Sequence, residues 1–335
     1  MNRLRAYRDI EGISQDELGK LLGLSAQMVS AIESGRRSFN GSLAVLGYTE
    51  DRFSLPNMSE PLHRQRASTG AAAQKRAKEL LRLAGEIFAE LQRVTRNAPR
   101  WSLERHTGIT SYGDVEDYAV EVRCMLGLEE SGPIRNLTVN VERAGVCVIP
   151  IDLPGVDGIS AWIGDLPVIG LSPRVTGDRF RLSIAHELGH LLMHSQRTDL
   201  TEGEANRFTG ALLFPLAEFD AAMPDRPQLR DFVSLKSSWG VSVTALVYRA
   251  RELDYLDDSR YRALQIQMSK WRKAEPGSFE PVYGSLLGRL VEVNGGVGAV
   301  AENLGVNQRH LGELLNWNRL RLVGSASLSS VSGNL

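Results

Sequence analysis

The spacing of apolar residues near the start of the chain predicts three short helices. They cover residues 4–10, 15–22 and 25–33, and a glycine separates the second from the third. Ser14 and Ser25 stand just before the second and third helices, where a serine side chain can accept a hydrogen bond from the first turn. A helix, a glycine turn and another short helix have the dimensions of a helix-turn-helix.

A much longer helical pattern follows over residues 71–96, which contain no proline and a single internal glycine, Gly85. Its apolar residues alternate between four- and three-residue steps, as along the seam of a helix pair. The stripe fits either pairing with a second copy of the chain or packing within one chain, and the second interpretation is preferred. It consists of Ala73, Ala77, Leu80, Ala84, Ile87, Leu91 and Val94.

After a further predicted helix over residues 112–128, the pattern changes to short strand-like runs. These runs cover residues 137–141, 146–149, 159–163 and 167–171, and glycine and proline punctuate them. A small sheet is therefore expected in the middle of the chain. An extended substrate can add to an exposed sheet edge as another strand, and residues 158–163 are the candidate edge.

The last hundred residues return to helical patterns. Residues 235–250 and 299–315 each repeat the layout of helix, glycine and second helix. Neither has a clear basic surface, so both are expected to pack against other parts of the chain rather than read bases. The final residues, 325–335, are rich in serine and glycine and predict a flexible tail.

Composition and charge narrow the class of protein. With 335 residues, 42% of them hydrophobic, the chain is long enough for two or three domains with real cores. The net charge of −1 shows no overall basic excess, so any nucleic-acid contact must come from a local patch. No signal peptide or membrane span is expected, which predicts a cytoplasmic protein. Cys124 and Cys147 are expected to be buried, reduced thiols.

Candidate chemistry lies in a largely apolar helical stretch that contains His186-Glu-Leu-Gly-His190. Four residues separate the histidines, so both imidazoles project from one helix face, which is the spacing that a single Zn²⁺ needs. Glu187 then lies beside the metal, where it can take a proton from water that the metal has made more acidic. The alternative is a core helix whose histidines form ordinary hydrogen bonds.

A second amphipathic helix, ended by Pro215, carries further candidates. Glu202 and Asn206 are one turn apart, so Glu202 could complete a two-histidine, one-glutamate shell and Asn206 could hold a ligand histidine. Glu204 lies about 200° around the helix from Glu202, so only one of the two can face the metal, and Glu202 is preferred. His194 continues the face of the histidines and could compete as a ligand, but at the helix end it is expected to lie next to solvent.

These residues resemble the ImmA/IrrE family of zinc metallopeptidases. The likeness covers residues 141–255. It implies a small zincin-like (gluzincin) protease domain in which His186, His190 and Glu202 bind Zn²⁺ and Glu187 is the catalytic base. The segments that carry it are His186-Glu-Leu-Gly-His190, Glu202-x-x-Ala-Asn206-x-Phe, Leu-Leu-Phe-Pro215, Gly158-Ile-Ser-Ala-Trp162 and Arg179-Phe-Arg181.

Residues 14–37 closely resemble the helix-turn-helix of phage-repressor-like (XRE) regulators. Glutamine can address adenine and arginine suits the phosphate backbone, so DNA is an expected partner. Residues 39–56 are short for the two closing helices of such domains, and an interaction module that does not touch DNA is the alternative. The candidate DNA-contacting residues are Gln15, Ser25, Gln27, Ser30, Arg36 and Arg37.

Together these patterns predict a mainly helical α+β protein. The expected division is a helix-turn-helix, a linker, a helical connector, the peptidase domain, a helical C-terminal region with helix-turn-helix-like segments, and the flexible tail. The corresponding residues are 1–56, 57–70, 71–130, 131–223, 224–324 and 325–335.

The expected function is that of a DNA-associated, zinc-dependent endopeptidase of regulatory type that cleaves a partner protein, with a transcriptional repressor as the expected substrate. A homodimer is left open. Two alternatives remain: a zinc-containing regulator whose peptidase-like domain is a sensor or scaffold, and a component of a toxin-antitoxin pair.

Overall fold

A computed structural model describes residues 2–59, 61, 70–96, 98–100, 103–106, 108–151, 158–196, 198–271 and 275–316. Within these ranges the chain forms fifteen α-helices and one three-stranded sheet, so the expected α+β class with mainly helical content is confirmed. The helices are α1 Arg3–Glu11, α2 Gln15–Leu22, α3 Ala26–Glu33, α4 Ala71–Thr95, α5 Tyr112–Met125, α6 Leu137–Arg143, α7 Gly177–Met193, α8 Thr201–Leu213, α9 Leu216–Ala222, α10 Leu229–Trp239, α11 Val243–Glu252, α12 Asp258–Met268, α13 Leu286–Val293, α14 Gly296–Leu304 and α15 Gln308–Leu315. The strands are β1 Cys147–Pro150, β2 Gly158–Ile163 and β3 Leu166–Leu171.

The three N-terminal helices begin where their caps predict. The Ser14 side chain accepts from the backbone N–H of Glu17, whose carboxylate in turn accepts from Ser14, so α2 starts with a complete capping box. Ser25 caps α3 by accepting from the N–H of Met28. Each cap satisfies backbone donors that the first turn of a helix leaves without an internal partner.

Distant parts of the chain complete the core of this N-terminal unit. Between α3 and α4 the described residues form two short 3₁₀ turns, Ala44–Leu46 and Glu50–Arg52. The Tyr48 hydroxyl lies 2.7 Å from His310 Nδ1 in α15, and the Thr49 N–H donates to the Gly305 carbonyl at 3.0 Å. The C-terminal helices therefore take the place of the closing helices that residues 39–56 are too short to supply.

Helix α4 packs between the N-terminal helices and the sheet. Five members of its predicted apolar stripe are buried within the chain: Ala77, Leu80, Ala84, Ile87 and Leu91. Val94, at the end of the stripe, is 54% exposed. A Cβ at Gly85 would lie 2.6 Å from the Ile163 side chain, so glycine permits the helix to approach β2 closely. The stripe thus serves packing within one chain.

The sheet has the strand order β1-β3-β2, with β1 parallel and β2 antiparallel to β3. Three of the four predicted strand runs are confirmed. The fourth prediction was wrong, because residues 137–141 belong to helix α6. Leu137 and Val141 are four residues apart and both buried, and the Asn136 side chain caps the helix at Val139. The alternating residues between them fit either period.

Two apolar cores lie on opposite faces of the sheet. One contains Val148 and Ile169 of the sheet together with residues of α5, α7, α8 and α10 to α12. The other contains Ile149 and Val168 together with residues of α1 to α4 and α13 to α15. The predicted C-terminal region is thereby divided, with α10 to α12 on the first core and α13 to α15 on the second.

Both cysteines are free, but only one is buried. Cys147 lies inside β1 as expected. The expectation for Cys124 was wrong, because it faces solvent on α5 while its neighbours Val122 and Arg123 face the interior. Among the described residues, none of the helices has the length and apolar character that crossing a bilayer requires. The predicted flexible tail lies outside the described residues.

Candidate metal centre

Helices α7 and α8 bring three potential metal ligands together. His186 Nε2 and His190 Nε2 lie 3.1 Å apart on successive turns of α7. The Glu202 carboxylate of α8 reaches both, with Oε2 3.7 Å from His186 Nε2 and Oε1 3.8 Å from His190 Nε2. All three ligand atoms lie within 4.8 Å of one another.

This donor set fits a tetrahedral zinc ion. Two ligand atoms on such an ion, each about 2.0–2.2 Å from it, are about 3.3–3.6 Å apart, close to the separations found here. Glu202 Oε2 is buried and has no hydrogen-bond partner among the described residues. A buried carboxylate oxygen is costly without a partner, and a cation between it and the imidazoles would supply one. Two imidazoles and one carboxylate are also a ligand set found in catalytic zinc sites.

Glu187 is held by the sheet rather than by the three candidate ligands. It is 3% exposed, and the Ser160 hydroxyl of β2 donates to its Oε2 at 2.7 Å. Burial raises the pKa of Glu187 to about 8, against the lowering effect of the Ser160 hydrogen bond. A Cβ at Gly158 would lie 2.9 Å from Oε1, so glycine leaves room for the carboxylate beside the edge strand.

A cavity of about 700 Å³ opens in front of these residues. His186, Glu187 and Gly158 line one side of it, and Asn206 of α8, the predicted partner of a ligand histidine, lines it as well. Other walls come from later parts of the chain, which sequence reasoning did not connect with the site. Among these are Tyr248, Glu252, Tyr261 and Trp271.

Glu204 and His194 form a separate contact behind the histidine pair. Glu204 Oε2 lies 3.0 Å from His194 Nε2, and His194 Nδ1 lies 3.0 Å from His190 Nδ1. The expectation that His194 lies next to solvent was wrong. Its side chain is 6% exposed because Glu204 of α8 packs over it, and burial lowers its pKa. Sequence reasoning missed this pair, since the orientation of α8 on α7 decides it.

Strand β2 lies at the edge of the sheet, as expected for a substrate edge, but one end of it is already paired. Met58 forms a β-bridge with Ile163. The Ser59 N–H donates to the Trp162 carbonyl, and the Trp162 N–H donates to Ser59 Oγ, both at 2.9 Å. The first part of the predicted linker therefore lies on the sheet. Most of residues 60–69 lies outside the described residues.

The candidate DNA-contacting residues gather around α3. Gln15, Gln27, Ser30 and Arg36 line one shallow concavity, and Gln27 and Arg36 are exposed. Gln15 donates to Glu33 Oε2 at 2.8 Å, which ties α2 to α3. Ser25 and Arg37 are also exposed, Ser25 while capping α3 and Arg37 just beyond the helix.

Comparison with known families agrees with this arrangement. Residues 141–251 match the family model described as the IrrE N-terminal-like domain, Peptidase_M78. Residues 4–46 match the model described as Helix-turn-helix, HTH_3. The resemblance to ImmA/IrrE proteins with an XRE-type helix-turn-helix is confirmed for these two segments. No curated protein matches the chain.

The IrrE N-terminal-like match ends within α11, well beyond the predicted domain boundary at residue 223. It therefore takes in the part of the cavity wall that α11 provides, including Tyr248. The combination of a helix-turn-helix with a peptidase-like domain supports a DNA-binding regulatory protein.

Proposed function

We propose that the protein is a zinc-dependent endopeptidase of regulatory type, in which His186, His190 and Glu202 hold the metal. The convergence of these three ligand atoms within 4.8 Å, next to the buried carboxylate of Glu187, carries the proposal. A purely structural zinc site does not require a carboxylate that lies beside the ligands without binding the metal.

When bound, a zinc ion would act as a Lewis acid, make water a stronger acid, and by its positive charge favour the ionised form of the nearby Glu187 carboxylate. The chain supplies the base. Glu187 Oε2 accepts from Ser160, which leaves Oε1, on the side of Gly158 and the cavity, to take a proton from the attacking water. The Ser160 hydrogen bond fixes the orientation of the carboxylate and so its distance from the scissile bond.

The substrate is an extended segment of a partner protein, with a transcriptional repressor as the proposed partner. The Gly158 end of β2 adjoins Glu187, and an extended segment added to this end would lie beside the catalytic carboxylate. The other end of the same edge is paired with residues 58 and 59. Aromatic and aliphatic side chains in the cavity wall suit an apolar side chain of the substrate.

The helix-turn-helix is proposed to bind DNA through the exposed surface of α3. Gln27 is exposed at the start of the helix and Arg36 follows its end, so one reaches base edges while the other reaches phosphate. DNA binding would place the peptidase at a promoter.

A comparison of two variants in cells separates the peptidase from a zinc-containing scaffold. Glu187→Gln keeps the proposed metal ligands, whereas His190→Ala removes one. If cleavage is the signal, both variants should lose regulation of the target genes, as a deletion does. Normal regulation by Glu187→Gln together with lost regulation by His190→Ala would show that the domain is a sensor or scaffold.

A further inference from the structure

From the proposed ligand His190, two further side chains, those of His194 and Glu204, lead away from the metal centre into the protein. Glu204 Oε2 lies 3.0 Å from His194 Nε2, His194 Nδ1 lies 3.0 Å from His190 Nδ1, and His190 Nε2 lies 3.1 Å from His186 Nε2. His190 is 1% exposed, and the side chains of His194 and Glu204 are 6% and 18% exposed. Contacts within the protein, rather than solvent, therefore mainly determine which nitrogen of each imidazole carries a proton.

The nitrogen of His190 that faces the proposed metal site determines which atoms donate and which accept along this chain. A histidine that binds a metal through Nε2 is a neutral imidazole with its proton on Nδ1, so His190 Nδ1 would donate a hydrogen bond to His194 Nδ1. An imidazole that accepts at Nδ1 carries its proton on Nε2, so His194 Nε2 would donate to Glu204, whose carboxylate oxygen can accept. This order keeps the proton of His190 on Nδ1 and leaves its Nε2 without a proton. That nitrogen is the one that points at His186 and Glu202.

We infer that Glu204 and His194 are positioning residues that fix the tautomer of His190 so that its Nε2 is ready to bind a metal ion. The inference rests on the proposed metal centre and adds to it a role for two residues that do not themselves bind the metal. Hydrogen-bonded partners of ligand histidines typically change metal affinity by about 10–100-fold when removed.

Three variants test the inference through the zinc dissociation constant, measured by competition with a chromophoric chelator. Glu204→Ala should weaken zinc binding by about 10–100-fold. Glu204→Gln retains an amide oxygen that can accept from His194, so it should stay closer to the wild type than Glu204→Ala. Asp199→Ala removes an exposed carboxylate from the same region and should leave the affinity unchanged. Equal affinities for Glu204→Ala and Asp199→Ala would overturn the inference.

A double mutant shows whether the two residues act as one unit. His194→Phe removes the middle of the chain and should weaken zinc binding about as much as Glu204→Ala. The variant with both changes should bind zinc no more weakly than either single variant, since either change alone already breaks the chain. Additive losses would mean that the two residues act independently, contrary to the inference.

The tautomer itself can be observed in the metal-free protein by ¹⁵N NMR of the imidazole nitrogens. His190 should carry its proton on Nδ1 in the wild type and in Glu204→Gln, and should become a mixture of tautomers in Glu204→Ala. A wild-type His190 protonated on Nε2 would overturn the inference. This readout needs neither zinc nor activity, so it stands if the metal centre fails. Conversely, loss of zinc in His190→Ala with no effect of Glu204→Ala would refute only the positioning role.

Discussion

The Ser160 hydroxyl donates a 2.7 Å hydrogen bond to the Glu187 carboxylate, joining the edge strand of the sheet to the helix of the proposed metal ligands. Both side chains are almost completely buried. Because the same hydroxyl also lies 3.2 Å from the Glu187 carbonyl, it contacts both the side chain and the backbone of this residue. The strand therefore sets where the proposed base points.

Replacing Ser160 by Ala should lower the cleavage rate without removing the metal. A hydrogen bond to a charged group is worth about 1.5–3 kcal/mol, which corresponds to roughly a ten- to hundredfold effect if it is lost mainly in the transition state. The measurement is kcat on a cleaved partner peptide, together with zinc content. Ser237→Ala, which removes an exposed hydroxyl on α10, is the control. A Ser160→Ala enzyme with unchanged kcat would refute the positioning of Glu187.

Replacing Gln27 by Ala should weaken binding to a specific DNA site. A side chain that reads a base through paired hydrogen bonds contributes about 1–3 kcal/mol of discrimination. Binding can be measured by fluorescence anisotropy at fixed salt on a fragment of the gene's own promoter. Gln267→Ala, on the exposed face of α12, should bind as the wild type does. Identical affinities for the two variants would favour an interaction module over a DNA reader.

Replacing Tyr48 by Phe should destabilise the N-terminal unit. His310 is fully buried, with Glu11 Oε1 2.7 Å from its Nε2 and the Tyr48 hydroxyl 2.7 Å from its Nδ1. Removing the hydroxyl leaves Nδ1 buried without its partner, which costs about 1–3 kcal/mol. The free energy of unfolding from urea titration measures the effect. Tyr261→Phe, on α12 of the other core, is the control, and an equal loss there would contradict the specific role of His310.

Local signals in the sequence were enough to predict the helices at the proposed site and at the N-terminus. The four-residue spacing of His186 and His190, and the serines before α2 and α3, act within one or two turns of a helix. The glycine and proline residues between the strands act over similarly short distances. For such features the neighbouring residues contain most of the physical information.

The features that the sequence did not reveal depend on contacts between distant segments. The burial of His194 depends on how α8 lies across α7, and the completion of the N-terminal unit by His310 joins residues 262 positions apart. Helix α6 was mistaken for a strand because its apolar residues fit both periods, and only its packing against the core distinguishes them.

The measurement that tests the peptidase most directly compares protein N-termini in cells that carry the wild type or Glu187→Gln. Glu187→Gln should retain about one zinc ion per chain, since this residue is not among the proposed ligands. Removing a positioned general base should lower cleavage by about 10²–10⁴-fold.

We therefore predict at least one new N-terminus, within a DNA-binding or other regulatory protein, that appears with the wild type and is absent with Glu187→Gln. Purified wild-type protein should produce the same cut, and a chelator should abolish it. Equal sets of N-termini in the two strains, with both proteins expressed and loaded with zinc, would contradict the assignment of this protein as a peptidase.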